Sequence, residues 1–421
     1  AKAAPKHPRA RQWFEESHKR LQEGAGRGVA IPWVAGGQPM FGSGIRWLDP
    51  LAGLAVEGVE IAGGKQAVGR FTVAIGLALQ AIDSADVKEL LTTGKESKGL
   101  LSKLGMFAKK RTSQRGWGID IGSSSLKAAK LSSDGQTVKV EALRVIEYRK
   151  ELPSTRNEAE QREVVRGALV KLQDEAGIGN DPCVVSLDAK GSLFRFLSLP
   201  GVAESKFDKI VELEAKYLIP YPLDQVYWYS HRFETSAAGN RAVMIVAARR
   251  GEVDGIADLL EQHDFKVSGF QCEPIAILNL LRRQKSGATG ADESVRLLID
   301  IGATSCQVVA MVGNQAWLRT VSHGGSRISA AVARELHLTF AQAEELKLAP
   351  HQAVSPLAAY RAMAKPLAEL LGEVERSVRA AEQAGIPTRQ AEVLLSGGGA
   401  GLHGLARAFL HGTDGLALEA Y

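Results

Sequence analysis

The sequence has few cysteines: Cys183, Cys272 and Cys306 are the three among its 421 residues. An odd number of cysteines without the spacing of metal ligands argues against a disulfide framework and against a zinc site. Each cysteine lies in an apolar, strand-like stretch, so we expect three reduced, buried thiols. This pattern favours a cytoplasmic location for the protein.

Long apolar runs are also missing. No stretch approaches the ~20 apolar residues that a membrane-spanning helix needs, and the most apolar segment, residues 71–82 (FTVAIGLALQAI), is better explained as a core helix. The charged N-terminus lacks the apolar centre of a secretory signal. We therefore expect a globular protein, with 45% hydrophobic residues and enough length for two domains.

Positive charge is unevenly distributed along the chain. The net charge of +5 arises largely from two basic segments, residues 1–20 and 95–115. The second has few acids and little apolar periodicity, which is typical of a solvated linker. A weak contact with an anionic membrane surface, at ~1 kcal/mol per basic residue, is the alternative. Aromatic residues do not interleave with these charges, which argues against nucleic-acid binding.

Two short segments repeat one pattern. Residues 118–130 (GIDIGSSSLKAAK) and 297–309 (LLIDIGATSCQVV) each contain an apolar run, an aspartate, a glycine and small residues before the chain becomes apolar again. Each segment predicts a β-hairpin whose glycine permits a tight turn with positive φ. Such a turn exposes backbone N–H groups that can bind phosphate oxygens. Aspartate and glycine are also ordinary turn residues, but the repetition favours two phosphate loops.

The two loops predict two half-sites that hold one nucleotide from opposite sides. Asp120 and Asp300, at the strand ends, can bind Mg²⁺ through its water shell. The first loop adds a lysine, which the second lacks. The candidate phosphate contacts are Gly122, Ser123, Ser124, Ser125, Lys127, Gly302, Ala303, Thr304 and Ser305.

A third element is rich in glycine. Residues 393–399 (VLLSGGG) predict a buried strand that ends in three glycines, and residues 402–410 predict the following helix. Glycine lets the backbone approach a flat ligand closely, and a helix N-terminus favours an anion. A plain strand-to-helix turn needs only about one glycine. We therefore expect Gly397, Gly398 and Gly399 to contact the nucleotide.

The order and spacing of these elements resemble the actin-like ATPase superfamily and, within it, the PilM family of type IV pilus assembly proteins. Four stretches carry the resemblance, which covers most of residues 116–421: residues 118–131 (GIDIGSSSLKAAKL), 214–228 (EAKYLIPYPLDQVYW), 323–347 (HGGSRISAAVARELHLTFAQAEELK) and 394–406 (LLSGGGAGLHGLA). The resemblance implies an α/β fold. This is the duplicated, ribonuclease H-type, two-domain actin-like fold, with the inserted subdomain that PilM shares with FtsA.

The resemblance also implies ATP and Mg²⁺ as ligands and, at most, a weak ATPase. By analogy, Glu344 and Lys347 border the ribose and adenine, and their i, i+3 spacing lets both side chains reach one ligand. A solvated helix pair is the alternative. Glu273 falls where the superfamily places a polar residue near the attacking water, so with Asp120 and Asp300 it completes the candidate catalytic set. It can orient water or only pair with a neighbour.

An aromatic cluster surrounds Pro220 and Pro222; its members are Tyr217, Tyr221, Tyr227, Trp228 and Tyr229. Aromatic residues at a domain seam, here Tyr217 and Tyr221, can recognise an extended peptide. Packing of the insert on the main domain is the alternative. In the resembling family a neighbouring groove binds the cytoplasmic tail of the inner-membrane protein PilN. The resemblance therefore implies a PilN-type tail and the pilus assembly machinery, or a related secretion system, as partners at the inner membrane.

The order of the segments predicts a circular permutation. In the resembling family the chain begins near the first phosphate loop and finishes with a helix that returns to the first domain. Here residues 47–56 and 70–82 resemble that closing tail but precede the loop. Permutation at exposed sites is physically tolerated, and it requires residues 71–82 to pack on the core that begins at residue 116. A remnant of a truncated second copy is the alternative.

The permutation divides the chain into five parts. We expect an extension (1–45), the permuted closing segment (46–82), a basic linker (83–115), a first domain (116–285) and a second domain (286–421). The first domain contains the insert, at about residues 190–265, and the second a helical subdomain, at about residues 325–385.

Two other functions share the hairpins. A sugar-kinase-type phosphotransferase needs a carboxylate base that faces a substrate hydroxyl, for which Asp188 is the candidate, although an ordinary turn residue is the simpler explanation. A filament-forming division protein like FtsA is the other alternative. The preferred interpretation is an ATP-dependent scaffold whose domains close on Mg-ATP and thereby change the surface that partners bind.

Overall fold

A computed structural model describes residues 34–35, 38–39, 45–59, 65–92, 114–188, 191–199, 203–233, 241–286, 294–403, 405 and 409. These residues divide into two compact units. The first unit comprises the described residues of 49–292 and 314–316, and the second those of 1–48, 293–313 and 317–421.

Strands and helices alternate along most of the chain, as the predicted α/β class requires. The strands are β1 Val34–Ala35, β2 Gln38–Pro39, β3 Ile45–Trp47, β4 Ala55–Val56, β5 Arg115–Ile121, β6 Ser125–Ser133, β7 Val138–Glu147, β8 Pro182–Leu187, β9 Ser192–Leu199, β10 Val226–Arg232, β11 Arg241–Arg249, β12 Lys266–Cys272, β13 Arg296–Ile301, β14 Cys306–Val312, β15 Gln315–Val321 and β16 Glu392–Ser396. The α-helices are α1 Lys65–Val68, α2 Thr72–Ala81, α3 Glu158–Ala176, α4 Glu204–Leu218, α5 Arg250–Glu261, α6 Glu273–Ser286, α7 Gly325–Leu336, α8 Phe340–Leu348 and α9 Pro356–Gln383.

The first unit is built on a six-stranded sheet with the order β12-β8-β5-β6-β7-β4. Strands β5, β6 and β7 are antiparallel neighbours, so the first predicted hairpin is confirmed. Strand β8 runs parallel to both β5 and β12. The carboxyl ends of β5, β8 and β12 therefore lie at one edge of the sheet.

Helix α2 forms part of the core of the first unit. All ten of its residues are buried, and it contacts β5, β6, β8 and α6. A helix that is apolar on every side is a core helix. Two glycines permit the close packing, because a Cβ on Gly118 of β5 would lie 2.0 Å from Ala74 O, and one on Gly76 would lie 2.0 Å from Ala276 O. The predicted packing of residues 71–82 on the core that follows residue 116 is confirmed.

Residues 83–92, which the sequence pattern assigned to the linker, also pack in the first unit. The Val87 N–H donates to Asn279 Oδ1 at 2.9 Å, and Leu91 exchanges two backbone hydrogen bonds with Phe270. His231 Nδ1 lies 3.0 Å from a carboxylate oxygen of Glu89. Burial alone would raise the pKa of Glu89, but the hydrogen bond and charge of His231 outweigh it and lower the pKa. Val87 and Leu91 are fully buried, so the basic segment begins only after this anchored stretch.

The predicted insert forms a small α/β subdomain of the first unit. Its antiparallel sheet has the order β10-β11-β9, and α4 packs Phe207, Val211 and Ala215 against the inward side chains of β11. Helix α4 ends at Leu218, two residues before Pro220.

The second unit is built on a five-stranded sheet with the order β15-β14-β13-β16-β3. Strands β13 and β14 are antiparallel, which confirms the second hairpin, and β16 runs parallel to β13. Strand β3, from the start of the chain, lies parallel to β16. Helices α7, α8 and α9 form the predicted helical subdomain, and α8 begins with a capping box of Thr339 and Gln342.

All three cysteines are buried, as expected, and none of them forms a disulfide bond within the described residues. Burial raises the pKa of the Cys272 thiol to about 12. Among the described residues, no helix combines the length and apolar character that crossing a membrane requires. Most of the predicted extension (1–45), the centre of the basic linker (93–113) and most of the predicted helix 402–410 lie outside the described residues.

Replacing Gly76 with alanine tests the packing of α2. The new Cβ would overlap the backbone of Ala276, so we expect Gly76→Ala to lower the free energy of unfolding by roughly 1–3 kcal/mol. Gly167→Ala is the matched control, because a Cβ at that position in α3 meets no heavy atom within 4 Å. It should raise stability by about 0.5–1 kcal/mol. Urea unfolding measures both variants, and a Gly76→Ala protein as stable as the control would contradict the packing.

Candidate functional site

The first loop connects β5 to β6. Asp120 pairs with Lys127 across the ladder, and Lys127 Nζ lies 3.1 Å from Asp120 Oδ2. The predicted positive φ at Gly122 is wrong, because this residue is not among those with a left-handed backbone. Space is nevertheless limited at this glycine, because a Cβ would lie 2.7 Å from the flexible end of Lys127, at Nζ, and 3.0 Å from Ser125 O.

Buried polar atoms beside this loop have no hydrogen-bond partner among the described residues. They are Asp120 Oδ1, Ser125 Oγ and Tyr148 Oη. Asp120 is 4% exposed and Ser125 is 0% exposed. An unsatisfied buried polar atom costs about 1–3 kcal/mol. The waters of a hydrated Mg²⁺ are donors that suit the free carboxylate oxygen, and a phosphate oxygen is an acceptor that suits the serine hydroxyl. The donor set therefore fits the predicted ligands.

Two backbone hydrogen bonds hold the first loop in place. Ser123 O accepts from Leu152 N at 2.9 Å, and Ser124 O accepts from Tyr148 N at 3.0 Å. Burial, together with the nearby charges of Asp120 and then Glu147, raises the pKa of Tyr148, so this hydroxyl keeps its proton at neutral pH. The sequence motif did not indicate Tyr148, because only the pairing of β6 with β7 brings it to the loop.

The second loop connects β13 to β14 and is bonded to the start of α7. Gly302 N donates to Ser305 O at 2.9 Å, while Gly302 O and Ala303 O accept from the backbone N–H groups of residues 325 and 326. Asp300 Oδ1 accepts from Ser396 Oγ at 2.5 Å, which joins neighbouring strands. Gly302 also lacks the predicted positive φ. Space is limited at this glycine too, since a Cβ would lie 3.0 Å from Ser305 O.

Three segments that are distant in sequence meet around one cavity of the second unit. Ile301 from the end of β13, Lys347 from α8 and Gly399 from the glycine-rich turn line it, together with Gly325, Leu348 and Leu402. The cavity has a volume of about 10 Å³, which is room for about one water molecule. A purine can therefore enter only if side chains of the wall move.

Glu344 and Lys347 belong to a hydrogen-bonded network in which the lysine is buried and the Glu344 side chain is 37% exposed. Lys347 is 6% exposed, and its Nζ lies 2.7 Å from Glu344 Oε1 and 3.4 Å from Gly325 O. Ser329 of α7, which the sequence analysis did not single out, donates to the same carboxylate oxygen. Lys347 thereby brings a cation close to the second loop, which has no lysine of its own.

The glycine-rich turn follows β16. Gly397 has φ of +87°, which a side chain would disfavour. A Cβ on Gly397 would lie 2.4 Å from Ile301 O, and one on Gly399 would lie 2.5 Å from Ile301 Cγ2. Gly398 is exposed and its Cβ would meet nothing within 4 Å. Gly397 and Gly399 therefore allow the turn to pack closely against β13, and Gly398 alone of the three faces open space.

Two further carboxylates lie at the same sheet edge as Asp120. Asp188 follows β8, and Glu273 is the first residue of α6 after β12. Both positions follow from the parallel arrangement of β5, β8 and β12. Asp188 is exposed, and its carbonyl accepts from Gly191 N at 3.0 Å and from Ser192 Oγ at 3.2 Å. Its backbone thus closes a turn.

The aromatic cluster separates into two groups. Tyr229 is buried and its hydroxyl donates to Gln271 at 2.8 Å, while the Tyr227 hydroxyl donates to Asp254 at 2.8 Å. Tyr217 and Tyr221 are 81% and 43% exposed. Tyr221 lines a cavity of about 140 Å³ in the first unit, with Ile219, Val226, Ala247 and Arg249 among its other walls.

Comparison with known proteins agrees with this architecture. A family profile described as "Type IV pilus assembly protein PilM" matches residues 118–415. The structure is similar to that of a PilM–PilN type IV pilus biogenesis complex, with 25% identity over 72% of this chain and 85% of that chain and a TM-score of 0.58. A weaker similarity links it to the ethanolamine utilization protein EutJ from Carboxydothermus hydrogenoformans, with 12% identity over 71% and 82% of the two chains and a TM-score of 0.39.

The two hairpins, the glycine-rich turn and the inserted subdomain define the class: the fold is that of the actin-like ATPases. The chain belongs to the family of the type IV pilus assembly protein PilM. The matched range begins within β5. It therefore excludes α2, which is buried in the first unit, and β3, which is an edge strand of the sheet of the second unit.

Alanine at two neighbouring glycines distinguishes their roles. We expect Gly399→Ala to lower the melting temperature by several degrees, because its Cβ would overlap Ile301, with a cost of roughly 1–3 kcal/mol. Gly398→Ala is the matched control and should leave the melting temperature within about 1 °C, because its Cβ has no neighbour. Differential scanning calorimetry measures both. Equal effects of the two changes would contradict the described turn.

Proposed function

We propose that this chain is an ATP-binding scaffold for type IV pilus assembly, or for a related secretion system, that binds the tail of a PilN-type protein. One observation carries the nucleotide part: the end of β13, which leads into the second loop, meets α8 and the glycine-rich turn around one cavity. Membership of the PilM family supports the role in pilus assembly.

The proposed ligand is ATP with Mg²⁺. In the first unit, Ser125 and Lys127 suit phosphate oxygens and Asp120 suits a hydrated Mg²⁺, because the free atoms Asp120 Oδ1 and Ser125 Oγ are buried. In the second unit, Gly398 and the Glu344–Lys347 pair suit the adenosine part. Bound ATP would supply a high local negative charge that Lys127 and Lys347 offset. Glu273 is the proposed residue that orients water for a slow hydrolysis.

In this proposal, nucleotide binding is coupled to the arrangement of the side chains that join α7 to α8. The cavity has room for about one water molecule, so an adenine displaces side chains that join α7 to α8. Lys347 donates to the carbonyl of Gly325. The N–H of the same glycine donates to Gly302 O in the second loop. A ligand that binds one arrangement of this network better than the other shifts the population between them. Partners that contact these helices can then distinguish the nucleotide states.

The proposed partner site lies in the inserted subdomain. The similar solved structure is a PilM–PilN complex, and a peptide tail requires an apolar groove with exposed aromatic anchors. Tyr217, Tyr221 and the cavity beside Tyr221 meet that requirement. Through such a tail the scaffold would be held at the cytoplasmic face of the inner membrane. The turn closed by the Asp188 backbone lends no support to the kinase alternative.

We also propose that the chain is a circular permutant of the family. Strand β3 lies beside β16 in the second unit, and α2 packs on β5 in the first. Both elements precede the matched range of the family. The burial of α2 in the first unit and the pairing of β3 with β16 in the second support the permuted order over a truncated second copy.

Removing the ammonium of the first loop tests nucleotide binding. We expect Lys127→Ala to weaken the affinity for Mg-ATP by about 10–100-fold, because a charged hydrogen bond is worth roughly 1.5–3 kcal/mol. Lys150→Ala is the control, since Lys150 is a more exposed lysine that also pairs with an acid, Glu160. Isothermal titration calorimetry measures both. No binding of millimolar Mg-ATP by the unchanged protein would refute the proposed nucleotide site.

Binding of a synthetic tail peptide tests the partner site. We expect Tyr221→Ala to weaken binding by about 10-fold or more, since an aromatic anchor at an interface contributes ~2 kcal/mol, and Tyr217→Ala to act in the same direction. Val354→Ala is the control, because it truncates a fully exposed apolar residue of the second unit. Fluorescence anisotropy with a labelled PilN-type peptide measures the affinity. Unchanged binding by both tyrosine variants would exclude these residues.

A further inference from the structure

Residues 83–92 lie against the first unit in the manner of a bound peptide. They follow α2, and apart from one isolated bridge they belong to no strand or helix. Val87 and Leu91 are fully buried, whereas Asp86 and Lys88 are exposed. Side chains that alternate between buried and exposed are typical of an extended segment with one face against a surface. The segment therefore resembles a docked peptide more than a loop.

The surface beneath this segment binds its backbone. Leu91 exchanges two backbone hydrogen bonds, of 3.0 and 2.8 Å, with Phe270 of β12. Asn279 of α6 binds Val87 twice, because its Oδ1 accepts from the Val87 N–H at 2.9 Å and its Nδ2 donates to the Val87 carbonyl at 3.1 Å. Hydrogen bonds to both backbone groups of one residue hold an extended chain whatever its side chains are.

The same surface also recognises a side chain. His231 of β10, in the inserted subdomain, places Nδ1 3.0 Å from a carboxylate oxygen of Glu89, and Gln271 Nε2 donates to the Glu89 carbonyl at 3.0 Å. Gly269 of β12 leaves room for the segment, because a Cβ there would lie 2.8 Å from the Cβ of Leu90. The contacts therefore read charge as well as backbone.

This surface is built by elements that are paired without the segment. Its residues come from β10, β12 and α6, and we call them the peptide groove: His231, Gly269, Phe270, Gln271 and Asn279. Strand β10 pairs with β11 along its whole length, and β12 pairs with β8. Strand β12 also lies at the edge of the six-stranded sheet. An edge strand flanked by pockets for alternate side chains is the arrangement to which proteins add an extended peptide.

We propose that residues 85–91 fill a peptide-recognition groove with a segment of the chain itself, and that an extended segment of a partner can replace them there. The segment shows what the groove accepts: an apolar residue, a carboxylate and an apolar residue at every other position, as in Val87, Glu89 and Leu91. The carboxylate of the partner meets His231. This inference goes beyond the proposed function, because the groove includes no residue of the nucleotide site or of the tyrosine site.

Hydrogen exchange of the unchanged protein tests whether the segment leaves the groove. One bridge and a few side-chain contacts hold its backbone, whereas β8 is paired with strands on both sides. We therefore expect the amides of Val87 and Leu91 to exchange at least about 10-fold faster than those of Val184 and Val185 in β8. Equal rates would mean that the segment opens only when the unit unfolds, and would overturn the proposal.

A labelled peptide of residues 83–92 tests recognition between molecules. Glu89→Ala weakens the chain's own segment and leaves the groove intact, so this variant should bind the peptide about 10-fold more tightly than the unchanged protein does. Lys88→Ala is the matched control, because it truncates an exposed neighbour in the segment, and it should leave the affinity unchanged. His231→Ala removes the same contact from both segments, so it should also leave the apparent affinity unchanged. Fluorescence anisotropy measures all four proteins.

The contrary results are distinct from those of the other tests. A Glu89→Ala protein that binds the peptide no more tightly than Lys88→Ala does would overturn the proposal, and so would equal binding of a peptide with the same residues in scrambled order. If Glu89→Ala fails to fold, the exchange rates of the unchanged protein still decide. These measurements use no nucleotide, so their failure leaves the proposed function standing.

Discussion

The packing of α2 on β5 is the contact on which the first unit depends. Gly118 permits it, because any side chain there would overlap the backbone of Ala74. Gly118 lies two residues before Asp120 on the same strand, so the contact that buries α2 also fixes the strand that carries the candidate metal-binding carboxylate. The site of the first unit is thus a consequence of how closely a helix approaches a sheet. A segment from before the first loop supplies that helix.

The second unit relies on a polar network instead. Ser329, Glu344 and Lys347 connect α7 to α8. Gly325 connects them to the second loop, because its carbonyl accepts from Lys347 and its N–H donates to Gly302 O. A buried amine is stable only when it is paired and hydrogen-bonded, so this network is satisfied without ligand. The first loop differs, because Asp120 Oδ1 and Ser125 Oγ have no partner among the described residues. A ligand at the first loop would therefore supply missing hydrogen-bond partners, whereas a ligand in the second unit would have to rearrange existing ones.

Much of the fold could be predicted from local patterns. The two hairpins, the helices of the second unit and the insert followed from hydrophobic periodicity and from Gly and Pro positions, which act over a few residues. The burial of residues 83–92 could not, because it depends on Asn279 and Phe270, which are distant in sequence. The positions of Tyr148 beside the first loop and of Ser329 beside Glu344 could not be predicted for the same reason. Gly122 and Gly302 were correctly identified as turn residues, but the predicted cause was wrong. Neither has a positive φ, and a Cβ at either position would lie 3.0 Å from a carbonyl oxygen of its own loop.

The most direct test of the account is a double-mutant cycle on Mg-ATP affinity with Lys127→Ala in the first unit and Lys347→Met in the second. Isothermal titration calorimetry gives the stoichiometry and the four affinities. The account predicts one nucleotide per chain, whose affinity falls with either change. Binding to two independent sites, or an affinity that neither change alters, would contradict it.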